Sequence, residues 1–170
     1  MALRPYKGQM PVVGADVFVE QSAQVIGDVT IGARSSIWFN CVVRGDVNYI
    51  RIGEETNVQD LSCLHVLRDR FPLVLGDRVT IGHSVTLHGC TIGNQCLVGM
   101  GAIVLDGAQI GEGCLIAAGA LVTPGTKVPA FSLVMGSPAK VARPLGDAER
   151  KMTADFAANY VRYAESYLRP

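Results

Sequence analysis

The sequence LHGCTIGNQCLVGMGAIVLDGAQIGEGCLIAAGALV, residues 87–122, determines the fold. A branched aliphatic residue recurs in it at every sixth position, at Ile92, Val98, Val104, Ile110, Ile116 and Val122. A period of six matches neither the 3.6-residue turn of an α-helix nor the two-residue alternation of a simple hairpin. It is typical of a parallel β-helix, in which each hexad is one short strand and a corner and three hexads close a triangular coil.

The same period extends toward the N-terminus with three interruptions, the first between Ile92 and Leu87, which are five residues apart. Its earlier members are Val13, Val19, Val25, Ile31, Ile37 and Val43, then Ile52, Val58 and Leu64, then Leu75, Ile81 and Leu87. Small residues stand two places before the branched residue in the last block, at Cys90, Cys96, Ala102, Ala108, Cys114 and Ala120. We therefore predict a β-helix over about residues 11–127, with the branched and the small side chains inside.

The C-terminal part is predicted to be a single α-helix. Breakers follow Val122, from Thr123-Pro124-Gly125 to Pro144-Leu-Gly146, and residues 147–168 contain no Gly or Pro. Asp147 is the expected N-cap. Aromatic and Met side chains recur at helical spacing, which predicts that this stripe packs against the β-helix, at Met152, Phe156, Tyr160, Tyr163 and Tyr167. The whole chain, residues 1–170, is expected to form one domain.

Composition argues against several classes of partner. The 170 residues carry 15 basic and 15 acidic side chains, so there is no net field to attract nucleic acid or an anionic membrane. No apolar run reaches 18 residues, and the N-terminus lacks the apolar segment of a secretion signal. The cysteines are odd in number, contain no C-x-x-C pair and are predicted to be packing residues of a cytoplasmic protein, at Cys41, Cys63, Cys90, Cys96 and Cys114.

Two of the three histidines occupy equivalent places in the repeat. His65 directly follows Leu64, and His88 directly follows Leu87. The 23 residues between them equal one 18-residue coil plus a five-residue excursion, Arg68–Pro72. Alone, each histidine is more often structural than a ligand. Stacked on one face of neighbouring coils, about 4.8 Å apart at the backbone, the pair can bind one metal ion.

His83 lies two places after Ile81, near a different edge of the prism, and does not converge with the pair of its own chain. A second subunit can supply it, and three identical contacts around a threefold axis close a ring. The sequence therefore predicts a homotrimer with metal sites at the subunit interfaces. Three neutral imidazoles and an open fourth position are the ligands of a catalytic Zn²⁺, although Fe²⁺ or Co²⁺ would accept the same set.

Polar residues interrupt the repeat at Arg44-Gly-Asp46 and at Asn57-Val-Gln59-Asp60. On a structural interpretation, Arg44 and Asp60 form a corner or interface ion pair and Gln59 is a turn amide. On a functional interpretation, Gln59 hydrogen-bonds the metal-bound water, while Arg44 and the two aspartates support the site and the interface.

Several motifs together resemble the gamma-class carbonic anhydrase family of left-handed β-helix trimers. They are Arg44-Gly-Asp46, Asn57-Val-Gln-Asp60, His65-Val, Ile81-Gly-His83-Ser, Leu87-His-Gly-Cys-Thr-Ile-Gly93, Gly136-Ser-Pro-Ala-Lys140 and Asn159-Tyr160-Val. The resemblance implies the metal ligands His65, His83 and His88. It further implies that Gln59 orients bound water or bicarbonate, that Tyr160 lies near the metal-bound solvent, and that Arg44, Asp46 and Asp60 serve the site and the interface.

By the same resemblance the activity is a lyase reaction, the hydration of carbon dioxide to bicarbonate through a metal-bound hydroxide. Two departures predict weak activity: Val47 stands where the archetype has a catalytic glutamate, and the excursion Arg68–Pro72 contains no glutamate to export the proton. Two other functions stay open. One is an acyltransferase or thioesterase acting on a CoA ester, and the other is a non-catalytic assembly subunit.

Overall fold

The computed structural model describes residues 2–169. The chain forms a left-handed parallel β-helix of short strands, followed by one α-helix, Asp147–Leu168. This confirms the predicted fold. Successive strands turn from one face of a triangular prism to the next, and each strand hydrogen-bonds to the strand one coil away.

The prism has three faces, which we name by their contents. The histidine face contains Leu3–Arg4, Cys63–His65, Thr86–His88, Ile103–Val104 and Leu121–Val122. The polar face contains Val12–Val13, Leu73–Leu75, Thr91–Ile92, Gln109–Ile110 and Lys127–Val128. Two long strands, Gln24–Ile31 and Val42–Ile52, bend around the corner and belong to both faces.

The third face, the helix face, is a separate sheet against which the α-helix packs. Its strands are Phe18–Val19, Ser36–Ile37, Asn57–Val58, Thr80–Ile81, Leu97–Val98, Leu115–Ile116 and Ser132–Gly136, with Ala139–Pro144 added in the antiparallel sense.

The core consists of the predicted ladder of inward side chains. Leu64, Ile81, Leu87 and Ile116 are fully buried, and the small residues two places before the branched positions are at most 1% exposed. Burial of each large aliphatic side chain stabilises the fold by about 1.5–3 kcal/mol. The hydrophobic period therefore supplies the main favourable term that holds the coils in register.

The coil is longer at both ends than predicted. Val128 and Val134 continue the six-residue period, are buried, and belong to strands paired with the preceding coil. The boundary predicted at 127 was wrong because Pro124, Gly125 and Pro129 fall outside the paired strand residues, so they do not interrupt strand pairing. At the other end, Leu3–Arg4 pairs with Val25–Ile26.

The helix spans the predicted residues but begins differently. Gly146, rather than Asp147, is the N-cap, and Asp147 is the first helical residue. The Glu149 carboxylate accepts a hydrogen bond from the Gly146 N–H at 3.0 Å, which satisfies a free donor at the helix start. Within residues 2–169, no helix has the length and apolar character needed to cross a membrane.

The prediction that the aromatic side chains of the helix pack against the β-helix was only partly correct. The residues that the helix buries are Thr153, Ala157, Val161 and Ala164, because small side chains allow a close approach to the sheet. Phe156 is 41% exposed, so its assignment to the core was wrong. Tyr167 contacts Phe18 and Trp38 with ring centroids 5.2 and 5.3 Å away, yet about half of it stays exposed.

Candidate metal centre

His65 and His88 stand side by side on the histidine face, as the spacing predicted. They are register partners in neighbouring parallel strands, and their ring centroids are 5.0 Å apart. Leu64 and Leu87 point inward, so the next residue on each strand points outward. The Nδ1 atom of His65 lies 3.1 Å from the Nε2 atom of His88.

Each ring of the pair is held from outside by a carboxylate. The Nε2 atom of His65 is 3.0 Å from Asp46 Oδ1, and the Nδ1 atom of His88 is 2.7 Å from Asp106 Oδ1. Arg44 donates a hydrogen bond to the other oxygen of Asp46. Burial raises the pKa of Asp46, but the hydrogen bonds from His65 and Arg44 outweigh it, so the pKa is lowered overall. Asp46 is therefore an ionised acceptor at neutral pH.

His83 lies on the opposite edge of the histidine face, at the corner where the chain arrives from the helix face. Because Val58 pairs with Ile81, Asp60 stands beside His83, and Asp60 Oδ2 is 3.0 Å from His83 Nδ1. Gln59 is buried at the same corner, where its Nε2 donates to Asn57 Oδ1 at 3.1 Å.

Tyr160 belongs to this second edge. It projects from the α-helix, packs edge-on against Trp38 at 5.4 Å, and lines a cleft of about 370 Å³ together with Asp60 and Phe39. Burial, with the nearby charge of Asp60 and Tyr163, raises the pKa of Tyr160. The phenol is therefore protonated at neutral pH and can donate a hydrogen bond.

The predicted site residues thus form two groups on opposite edges of one face. Among residues 2–169 of one chain, no three histidine, cysteine or carboxylate side chains come together to hold a metal ion. Within one chain Arg44 pairs with Asp46 and Asp60 with His83, so the predicted Arg44–Asp60 pair does not form at a corner of one subunit, and the interface pair stays a prediction. We name the two groups after the predicted interface site, as the histidine-pair half-site and the His83 half-site.

The surface between the half-sites is uncharged. One outward row crosses the strands of the histidine face in register, namely Gln24, Val42, Cys63, Thr86, Ile103 and Leu121. The equivalent row of the polar face contains Thr30, Arg51, Val74, Thr91, Gln109 and Lys127. Leu61 and Met100, on the His83 edge, are about 60% exposed.

Cys63 corrects the prediction that all five cysteines are packing residues. It is exposed because it belongs to the outward row, whereas the other four are buried. Burial raises the pKa of Cys41 to about 11 and that of Cys90 to about 12, so these two thiols are poor nucleophiles.

Asp106 contacts the predicted metal ligand His88, and the sequence reasoning missed it. It lies 18 residues after His88, in the neighbouring coil and just past the strand in which Val104 pairs with Leu87, so the repeat was the signal that could have found it. Val47 has a plain structural role, since it is partly buried and packs against the core.

Comparisons with known proteins agree with this architecture. Residues 10–45 and 89–124 match the family model described as bacterial transferase hexapeptide (six repeats). The Escherichia coli protein named YrdA is 49% identical over 98% of this chain and 94% of its own length. The mitochondrial gamma carbonic anhydrase 2 of Arabidopsis thaliana is 46% identical over 91% of this chain, which spans 58% of that protein.

A solved structure shows the same fold throughout. The hexapeptide transferase family protein from Anaplasma phagocytophilum superposes with a TM-score of 0.94 at 43% identity, over 98% of both chains. The repeat and the coil define a hexapeptide-repeat protein. Within that class, the chain belongs to the gamma carbonic anhydrase-like family.

The pH dependence of stability tests the environment of Asp46. Asp46→Asn should lower the free energy of unfolding at neutral pH by about 1–3 kcal/mol, because two hydrogen bonds lose a charged acceptor. The pKa of Asp46 is below its ordinary 3.8, so its contribution is present above that pH and is lost as the pH falls through the lowered pKa. Urea titrations should show the difference closing in acid. A difference independent of pH would contradict this environment.

Proposed function

We propose that the protein is a metal-dependent carbonic anhydrase-like enzyme that hydrates carbon dioxide, with Zn²⁺ held between the subunits of a homotrimer. The observation that carries the proposal is the position of the two histidine groups on opposite edges of a face whose central row is uncharged. Metal dependence and hydration are consistent with family membership, which includes relatives named as carbonic anhydrases.

The histidine pair fits a cation. An ionised carboxylate only accepts hydrogen bonds, so the outer nitrogen of each ring carries the proton and the inner nitrogens present lone pairs. Those inner atoms, His65 Nδ1 and His88 Nε2, face each other at 3.1 Å. Two facing lone pairs repel, and a cation shared between them removes the repulsion: a proton gives a hydrogen bond, and a metal ion gives a site with two ligands. Ligands about 2.0–2.1 Å from a tetrahedral zinc are roughly 3.3 Å apart, close to this separation.

The residues of the His83 half-site would complete the centre from a second subunit. His83, oriented by Asp60, supplies the third imidazole. A bound zinc lowers the pKa of a coordinated water to about 7, which makes hydroxide available at neutral pH. Gln59 is fixed through its nitrogen, so its oxygen is the group that accepts a hydrogen bond from solvent. Tyr160 serves as a donor toward the same space.

The histidine face provides the subunit contact. Its outward row is uncharged, and Leu61 and Met100 expose large apolar side chains on the edge beside His83. A second copy that covers this row brings its His83 edge toward the histidine pair, and repetition around a threefold axis closes the ring. Cys63 belongs to this row, so a second subunit would cover it. A free cysteine behaves as a small apolar side chain, which suits a packed contact.

We propose a low rate of hydration and a cytoplasmic location. Val47 is partly buried against the core, at the position where the resemblance implied a catalytic glutamate. No carboxylate is therefore present there to accept the proton that hydration releases. The free cysteines are consistent with a reducing compartment. The CoA-ester reaction stays a competing activity, because solved relatives carry transferase names.

The purified protein should contain about one divalent metal ion per chain, and His65→Ala or His88→Ala should remove it, because two imidazoles do not hold zinc tightly. Carbon dioxide hydration should be slow and should rise with imidazole buffer, which replaces the absent internal base. Metal analysis and stopped-flow hydration measure both. Full metal retention by either variant would contradict the site, and hydrolysis of acyl-CoA without hydration would favour the competing activity.

The subunit contact is tested away from the ligands. Ile103→Arg places a charge in the uncharged row of the histidine face and should convert the trimer to monomers that have lost most of their metal. The matched control is Gln109→Arg, at the equivalent outward position of the polar face, which should leave both properties unchanged. Light scattering measures the oligomeric state, and metal analysis measures the metal content per chain. A metal-loaded Ile103→Arg monomer would refute a shared site.

A further inference from the structure

We infer that Asp106 is a positioning residue, which holds His88 in the tautomer protonated at Nδ1 and thereby sets the affinity of the centre for its metal. The inference rests on the proposed metal site and adds a residue to it. The Asp106 carboxylate lies 2.7 Å from His88 Nδ1, the shortest of the three carboxylate–imidazole distances within residues 2–169.

The surrounding backbone is shaped to admit this carboxylate. A Cβ atom on Gly89 would lie 2.3 Å from Asp106 Oδ1, so any other residue at position 89 would displace the carboxylate. Gly89 also has φ +53°, in the left-handed region that favours glycine. Two independent requirements therefore favour glycine directly after the ligand.

Phe71 lies beside Gly89 and Gly107, the glycines that follow His88 and Asp106. Its Cβ would be 2.8 Å from a Cβ on Gly89, and its ring lies about 3.0 Å from the place of a Cβ on Gly107. The excursion Arg68–Pro72 is tied back by the Leu67–Phe71 bridge, in which Leu67 N–H donates to Phe71 O at 2.9 Å. The excursion that lacks a glutamate thus carries a side chain that packs beside both of these glycines.

The consequence concerns which nitrogen of His88 is available. With Nδ1–H donated to Asp106, Nε2 keeps its lone pair and faces His65. Without the carboxylate, the ring is free to protonate at Nε2, and that tautomer cannot bind a cation through Nε2. Removing such an orienting partner typically lowers metal affinity by about 10–100-fold.

The test uses the full-length protein with Asp106→Ala and, as a control, Asp155→Ala on the exposed face of the helix. Long-range ¹H–¹⁵N spectra of the metal-free protein should show His88 protonated at Nδ1 in the native chain and shifted toward Nε2 in Asp106→Ala. Competition titration with Co²⁺ should give a Kd raised about 10–100-fold in Asp106→Ala only. An unchanged tautomer, or an unchanged Kd, would overturn the inference.

A second pair of variants separates displacement of the carboxylate from backbone strain. Gly89→Ala should weaken Co²⁺ binding as Asp106→Ala does. Gly119→Ala incurs the same left-handed strain at φ +67°, but nothing lies within 4 Å of the added Cβ, so binding should be unaffected. Equal affinities for the two variants would count against the inference even if Asp106→Ala does not fold. Because a Cβ on Gly89 also lies 2.8 Å from Phe71 Cβ, weaker binding by Gly89→Ala supports the inference only if the tautomer spectrum of His88 shifts with it.

Failure of the proposed function would look different. A native protein that binds no Co²⁺ refutes the metal centre, whereas the tautomer spectra still report whether Asp106 holds the ring. A native protein that binds Co²⁺ normally, with Asp106→Ala equal to it, keeps the metal centre and removes only Asp106 from it.

Discussion

Stacking of coils in strict register is the constraint on which the rest of the structure depends. Each inward aliphatic side chain must lie over its equivalent one coil away, because a slip of one residue would turn the inward side chains out to solvent. The strands that carry Leu64 and Leu87 are locked by this requirement. The outward residues that follow are locked with them, so His65 and His88 meet without any loop having to place them.

The same rigidity prevents one chain from completing the site. His83 is fixed at the other edge of the histidine face by the pairing of Val58 with Ile81, and no side-chain rotation carries it across the width of a strand. In the proposed trimer a second copy of the chain supplies the missing group, and the uncharged surface between the edges offers it no charge repulsion. Assembly and metal binding are then one event, and each stabilises the other through mass action.

The features that could be predicted from the sequence are those that the six-residue repeat positions. The coil and the stacked histidine pair follow from positions in the repeat, so both were predicted from residue numbers alone. The exposure of Phe156 was not, because the rotation of the helix is set by the close approach of Ala157 and Ala164 to the sheet. Asp106 escaped because its role appears only when a neighbouring coil is placed beside His88.

The most direct test of the shared site is complementation between two inactive subunits. Chains with His83→Ala keep the histidine pair, and chains with His65→Ala and His88→Ala keep His83, so neither trimer alone should bind zinc. Refolded together, every mixed ring contains one interface where an intact pair faces an intact His83, and one site in three should regain metal. Mixed trimers of verified composition that bind no metal would contradict a site built between subunits.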